Sequence, residues 1–317
     1  MTKKLTLIHA IENKYDHKFE RQSKLYLESF GLKNQILLSD IDILFVQPTD
    51  NDVLLDTIEF IESHNGSFIK TESNSTQTNE NQNFTNNVNA INSVIGSLDT
   101  EYICWVDTDI VFLKPFPELL KDTDSIVFSV LPLPEVDTIK EYTSAREIDT
   151  ATDMDLLYQK YFKDHLPTEY AVDKLEGYVN TWLTYGKRTS GFWEEWQSLT
   201  HLLIKILHQH HPDQITLGLE SISEELAASI LYRANKYTFE NLSDFFGSNT
   251  TAMICTTDPG LDLTTKCSLL HYRGIMDITM PELQGNFKND ASMILTKMLD
   301  KKVITNIDYL SLLKDTL

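Results

Sequence analysis

Two aspartates one residue apart, Asp107 and Asp109, follow an apolar run and offer the clearest chemistry in the sequence. At the carboxyl end of a strand the side-chain alternation can break, so both carboxylates can converge on one point. Two oxygen ligands at this spacing suit a hard divalent cation such as Mg²⁺ or Mn²⁺. Open α/β sheets bind ligands at such strand ends. The segment therefore predicts a metal site, with a solvated turn as the alternative.

The same pattern occurs earlier in the chain, at Asp40 and Asp42. There the aspartates alternate with apolar residues, which predicts a half-exposed strand whose acidic side chains face water. The later pair instead follows a helical pattern and five apolar strand residues, so we take Asp107 and Asp109 as the metal pair. Whether the earlier copy has a role stays open.

The elements before Asp107 alternate between strand and helix, which predicts a mostly parallel sheet flanked by helices. The first helix carries Phe19, Tyr26 and Phe30 on one face, and Gly31 is expected at its end. The predicted segments are the strands Leu5–Ala10, Ile36–Val46, Ser67–Lys70 and Tyr102–Val106, and the helices Val53–Ser63 and Val88–Leu98.

The second half contains two clear helical patterns, Phe192–His211 and Ser223–Asn235, and a short strand pattern at Ser268–Tyr272. Trp193 and Trp196 lie on the apolar stripe of the first helix, which predicts core positions. The same helix carries a group of histidines. A helix C-terminus favours imidazoles through its dipole. The alternative, a zinc site, would need a carboxylate or thiolate that converges with them. The histidines of this group are His201, His208, His210 and His211.

The charge of the chain excludes several partners. The 317 residues include 27 Lys and Arg against 47 Asp and Glu, a formal charge of −20. Such a chain repels nucleic acids and anionic membranes, so neither is expected as a partner. Because no apolar run reaches 18 residues and Met1–Ala10 is too short for a signal peptide, a cytoplasmic protein without membrane insertion is expected. A phosphate-bearing substrate would need a local cation.

A late His-x-x-Gly pattern, His271-Tyr272-Arg273-Gly274, completes a set of motifs with Asp107-Thr108-Asp109. Together they resemble GT-A-type glycosyltransferases, nearest the glycogenin-like and galactosyltransferase-like branch. The resemblance implies one α/β, GT-A-like (Rossmann-like) domain over residues 1–317. Within it, residues 1–125 would form the nucleotide-sugar-binding half, 126–275 the acceptor-binding half and 276–317 a helical tail.

The resemblance also implies an activity. It is hexosyl-type transfer from a nucleoside-diphosphate sugar, UDP- or GDP-linked, to a hydroxyl of a glycan or another small acceptor. Asp107, Asp109 and His271 would hold Mn²⁺ or Mg²⁺. The branch has a phosphate-binding lysine where this chain has Asp277, and Arg273 is the nearest replacement. The implied contacts are His9, Ala10, Val106 and Arg273 for the donor, and Asn180 and Trp182, in a loop-like stretch, for the acceptor.

Glu224 and Glu225 have two explanations. Acidic residues favour the first turn of a helix, and an inverting transferase needs a carboxylate base to deprotonate the acceptor hydroxyl. On the second explanation they join Asp107 and Asp109 as catalytic residues. Two other functions stay open: a nucleotidyltransferase, disfavoured because residues 9–13 contain no glycine, and a non-catalytic sugar-binding relative, favoured by the missing lysine.

Overall fold

A computed structural model describes residues 3–11, 18–48, 52–71, 86–112, 114–133, 150–212, 219–247, 251–253 and 268–271. No helix in these ranges is long and apolar enough to cross a membrane. The strands are β1 Leu5–Ala10, β2 Ile41–Gln47, β3 Gly66–Lys70, β4 Tyr102–Val106, β5 Ile110–Phe112, β6 Ile126–Pro132, β7 Gly177–Lys187, β8 Phe239–Asn241, β9 Thr251–Met253 and β10 Leu269–His271. The helices are α1 Lys18–Asn34, α2 Leu55–Ser63, α3 Asn86–Val94, α4 Thr150–Tyr161, α5 Phe192–His210, α6 Ser223–Ala234 and α7 Leu242–Phe246.

The chain divides into two compact units, and the first comprises Met1–Ser73, Asp99–Asp122 and Ser243–Leu317. Its main strands run in the order β3-β2-β1-β4, and every neighbouring pair is parallel. β4 is buried along its whole length, as a parallel strand covered on both faces must be. Because parallel strands end at the same edge, residues that follow β1, β2 and β4 share that edge.

A second, three-stranded sheet lies in the same unit, in the order β5-β10-β9. β10 pairs antiparallel with β5 and parallel with β9. The register places His271 opposite Ile110. A residue far along the chain is thereby brought beside the segment that follows β4.

The second unit comprises Asn74–Leu98 and Thr123–Leu242. Its strands run in the order β7-β6-β8, with β6 antiparallel to β7 and parallel to β8. α5 packs against α3 and α6, and α6 packs against β7. Trp193 and Trp196 are fully buried in this core, so their predicted core positions are confirmed.

The predicted fold class, α/β with mostly parallel strands flanked by helices, is confirmed. β1 and β4 have the predicted bounds. Several other bounds differed from the prediction, and two of the differences have a clear physical reason. α1 continues past Gly31 to Asn34, whose side chain accepts a hydrogen bond from the Phe116 amide at 2.7 Å. β2 begins at Ile41, because residues 35–37 form a 3₁₀ turn.

The division into donor and acceptor halves stays a prediction, and residues 276–317 lie outside the described ranges.

Candidate metal centre

Asp107 and Asp109 occupy the turn between β4 and β5. Tyr102–Val106 is apolar and fully buried, and the chain then leaves the strand at Asp107 and re-enters one at Ile110. The two carboxyl side chains are only 19% and 11% exposed. The predicted pair therefore lies, mostly buried, at the carboxyl end of a central parallel strand.

His271 completes the group. Its Nε2 lies 3.1 Å from Asp109 Oδ1 and 3.7 Å from Asp107 Oδ2, and its side chain is 2% exposed. One ligand atom from each of the three residues lies within 4.8 Å of the other two. Adjacent ligands of an octahedral ion are about 3 Å apart when the metal–oxygen distance is about 2.1 Å. The three side chains therefore have a spacing that suits one divalent cation.

The electrostatics of the group also favour a cation. Two carboxylates within 4.8 Å of each other repel by about 3 kcal/mol at an effective dielectric constant near 20. Burial limits the water that would otherwise screen this repulsion. His271 can offset part of it as a hydrogen-bond partner of Asp109. A bound divalent ion would offset all of it, and neutral imidazole and carboxylate are both suitable ligands.

Trp105 orients Asp107. The indole Nε1 donates a hydrogen bond to Asp107 Oδ1 at 3.1 Å, and the ring is buried. The oxygen nearer His271 is the other one, Oδ2. Because Trp105 lies only two residues before Asp107, the pairing of the two side chains is a local signal that the sequence contained and that our sequence interpretation missed.

α1 anchors the segment that follows Asp107. Thr108 Oγ1 donates to Gln22 Oε1 at 3.3 Å. The Phe112 amide donates to Ser29 Oγ at 3.1 Å. Both contacts are buried, and they fix the turn and β5 against a helix rather than against solvent. The position of Asp109, between Thr108 and β5, is thus set from both sides.

His9, predicted at the donor site, has its imidazole in the core. The ring stacks on Phe45 at 4.7 Å and meets Tyr26 edge-on at 4.3 Å. Its Nδ1–H donates to the Val106 carbonyl at 2.8 Å. Burial lowers the pKa of His9 from 6.5 to about 3, and the bond to Val106 opposes part of this shift. A neutral His9 therefore ties the end of β1 to the end of β4.

The other predicted donor contacts differ in their surroundings. Ala10 is partly exposed at the carboxyl end of β1, whereas Val106 is buried at the end of β4. Arg273 lies outside the described residues. Donor contact by His9, Ala10, Val106 and Arg273 stays a prediction.

Glu224 and Glu225 open α6 in the second unit. Glu224 is buried, and its Oε1 accepts hydrogen bonds from Asn87 Nδ2 and, at 3.0 Å, from Thr181 Oγ1. Its backbone carbonyl accepts the Trp196 indole N–H at 2.9 Å. Glu225 is partly exposed. An acidic residue that only stabilised the helix dipole would not need to be buried. Glu224, by contrast, is buried and is held in place by specific partners.

Asn180 and Trp182, the predicted acceptor contacts, lie in β7. The expectation of a loop-like stretch was wrong, because an eleven-residue strand pairs with β6 here. Trp182 is buried, and Asn180 is partly exposed. The Asn180 side chain accepts a hydrogen bond from the Trp182 amide at 3.2 Å. Acceptor binding by these residues stays a prediction.

The earlier copy of the motif lies at the other end of its strand. Asp40 precedes β2 and Asp42 is its second residue, so both lie at the edge opposite to Asp107. The predicted exposure of these acidic side chains is confirmed, since both residues are exposed. Asp42 forms a surface ion pair with Lys3 at 2.8 Å. The two copies have similar sequences, but one lies at the start of its strand and the other follows the end of its strand.

No family model matches the chain, and no curated protein does. Among solved structures, the glycosyltransferase GlyE of Streptococcus pneumoniae TIGR4 is similar, with a TM-score of 0.45 and 11% sequence identity. The match covers 96% of this chain and 64% of that one. A likeness this remote carries no argument about chemistry, which depends on the residues themselves.

Proposed function

We propose that the protein is a metal-dependent glycosyltransferase. It would move a sugar, a hexose or a close relative, from a UDP- or GDP-linked donor to a hydroxyl group of a glycan or another small acceptor. The observation that carries the proposal is the group formed by Asp107, Asp109 and His271 at the end of β4. Two carboxylates and one imidazole leave several positions of a divalent ion for phosphate oxygens.

Asp107, Asp109 and His271 would hold Mn²⁺ or Mg²⁺. When bound, such an ion acts as a Lewis acid that stabilises the charge of the departing nucleoside diphosphate. Trp105 keeps Asp107 oriented toward His271. His271 in turn lies against Asp109 through the pairing of β10 with β5. The chain thus supplies a pre-set group of ligands, and the cation that they would hold would compensate locally for a net charge of −20.

Glu224 is the better of the two candidate bases if the reaction inverts the anomeric centre. A general base must be fixed within reach of the proton that it accepts. Glu224 is buried and held by Asn87 and Thr181, whereas Glu225 is partly exposed. In this role the Glu224 carboxylate would accept the acceptor hydroxyl proton as that oxygen attacks the sugar carbon.

The test is release of nucleoside diphosphate from a panel of nucleotide sugars with Mn²⁺ or Mg²⁺. We expect turnover of at least one donor by the native protein, loss of that turnover in Asp109→Asn, and its retention in Asp42→Asn. Asp42 is a matched control, because it belongs to the same sequence pattern and forms only a surface ion pair. Silence with every donor, or equal effects of the two substitutions, would refute the proposal.

A further inference from the structure

Thr108, the residue between the two aspartates of the candidate metal centre, contacts a helix. Its side-chain hydroxyl donates a hydrogen bond to Gln22 Oε1 of α1 at 3.3 Å. Both residues are buried, with 7% of Thr108 and 4% of Gln22 exposed. The ligands of the centre do not include this hydroxyl, so its burial against Gln22 needs a separate explanation.

α1 is itself fixed by α2. Glu20 Oε2 accepts a hydrogen bond from Thr57 Oγ1 of α2 at 2.6 Å, and both residues are buried. Lys24, one turn after Glu20, lies 3.6 Å from Asp56 of the same helix. Residues two positions apart on an α-helix point about 200° away from each other, so Gln22 faces away from these contacts. α1 therefore lies between α2 and the turn that carries the aspartates.

The same stripe of α1 anchors β5. Ser29 lies seven positions after Gln22, and residues at this spacing are within about 20° of each other around a helix. Ser29 Oγ accepts a hydrogen bond from the Phe112 amide at 3.1 Å. Asp109 is thus enclosed between two points that α1 fixes. Its Oδ1 lies 3.1 Å from His271 Nε2, and this separation depends on both anchors.

The separation of two ligand atoms distinguishes small ions from large ones. Adjacent ligands of an octahedral ion are about 3.0 Å apart when the Mg²⁺–O distance is about 2.1 Å, and about 3.4 Å apart when the Ca²⁺–O distance is about 2.4 Å. The 3.1 Å between Asp109 and His271 fits the smaller ion. Ca²⁺ accepts flexible sites, whereas Mg²⁺ demands near-ideal octahedral geometry. A turn that cannot relax therefore favours the smaller ion.

We propose that Gln22 is a positioning residue that, through Thr108, makes the centre select Mg²⁺ or Mn²⁺ over Ca²⁺. The inference rests on the proposed metal centre and deepens it, because it concerns the cations that the centre rejects. Gln22 contacts neither the ion nor a substrate. It holds the turn against α1, so that the carboxylate of Asp109 cannot move to the wider spacing that Ca²⁺ prefers.

The experiment measures the displacement of Mn²⁺ by Mg²⁺ and by Ca²⁺, with free Mn²⁺ followed by electron paramagnetic resonance. Thr108→Val keeps the shape of the side chain and removes the hydroxyl. It should lower the preference for Mg²⁺ over Ca²⁺ by about tenfold, because losing a partner that orients a metal ligand costs about ten- to one-hundredfold in affinity. Gln22→Met should have the same effect. Thr108→Ser retains the hydroxyl and should keep the native preference.

A double variant separates positioning from stability. Loss of one partner leaves the other buried and unpaired, whereas replacing both by apolar groups of similar shape can be nearly neutral. Gln22→Met with Thr108→Val should therefore resist urea better than either single variant and still have the lowered ion preference. Thr200→Val is the matched control, since Thr200 is buried on α5 in the other unit and its hydroxyl donates to the Trp196 carbonyl at 2.8 Å. It should lose stability without a change in ion preference.

Failure of this proposal and failure of the metal centre give different results. If Mn²⁺ binds the native protein and not Asp109→Asn, the centre stands. An unchanged ion preference in Thr108→Val and Gln22→Met would then overturn the role of Gln22. Recovery of the native preference in the double variant, or an equal loss of preference in Thr200→Val, would overturn it too, because stability alone would explain the effect. If Mn²⁺ does not bind the native protein, the centre and this proposal both fail.

Discussion

The hydrogen bond from Trp105 to Asp107 provides a demanding test of the metal centre. Trp105→Phe keeps an aromatic ring in the buried strand but removes the Nε1 donor that lies 3.1 Å from Asp107 Oδ1. Without that bond the Asp107 carboxylate can rotate, and Oδ2 is no longer held toward His271. We therefore expect the substitution to weaken metal binding without removing a ligand.

The size of the effect follows from the bond that is lost. A hydrogen bond to a charged group contributes about 1.5–3 kcal/mol, and 1.4 kcal/mol corresponds to a factor of ten in affinity. Loss of a partner that orients a metal ligand costs about ten- to one-hundredfold in affinity. The two estimates agree, so Mn²⁺ should bind Trp105→Phe about ten- to one-hundredfold more weakly than the native protein.

Isothermal titration calorimetry with Mn²⁺ measures this directly, and Trp193→Phe is the matched control. Trp193 is also a buried tryptophan, and its Nε1 donates at 3.0 Å to the Lys187 carbonyl in the other unit. It should lose stability without losing Mn²⁺ affinity. Equal Mn²⁺ affinities for Trp105→Phe and the native protein, with the fold intact by circular dichroism, would refute the reasoning.

Two further predictions concern His9 and Glu224. The pKa of His9 is about 3 in the folded protein against about 6.5 when unfolded. Above pH 6.5 both states carry a neutral imidazole and the stability is fully present. As the pH falls from 6.5 toward 3, only the unfolded state takes up the proton, so the free energy of unfolding should fall by up to several kcal/mol. Urea unfolding at pH 7 and pH 5 should show a smaller difference for His9→Leu than for the native protein, and equal differences would contradict the assignment. Glu224→Gln should lower transfer to the acceptor by about 10²–10⁴-fold if Glu224 is the base, with Mn²⁺ affinity unchanged. Glu225→Gln should keep most activity, and a larger loss in Glu225→Gln than in Glu224→Gln would exchange the two roles.

Much of the framework could be predicted because largely apolar runs of five or six residues mark buried parallel strands. β1 and β4 were bounded correctly on that signal. β2 was predicted to begin five residues early, because Ile36 is apolar and yet 77% exposed. An apolar residue in a surface turn looks the same in the sequence as one in a strand. Trp182 was missed as a strand residue because polar residues, among them Asn180, Thr181 and Thr184, interrupt the apolar pattern of β7.

The candidate site could be predicted in part. Asp107 follows the carboxyl end of its strand and is mostly buried, whereas Asp42 lies near the start of its strand and is exposed. The apolar residues before Asp107 already indicated both differences. His271 was tied to the aspartates by resemblance, and the pairing of β10 with β5 now supplies the physical reason. The approach of Gln22 to Thr108, and of Asn87 to Glu224, arises from packing between segments that are distant in sequence. The hydrophobic periodicity of one segment cannot predict contacts with a distant segment.

The central claim is that an acidic chain binds an anionic donor through a metal held by Asp107, Asp109 and His271. The most direct measurement is calorimetric titration of UDP- and GDP-sugars into the native protein and Asp109→Asn, each with and without Mn²⁺. We expect binding of a nucleotide sugar to the native protein with Mn²⁺, and little or none without the metal or in the variant. Equal affinity with and without Mn²⁺, or undiminished binding by Asp109→Asn, would contradict it.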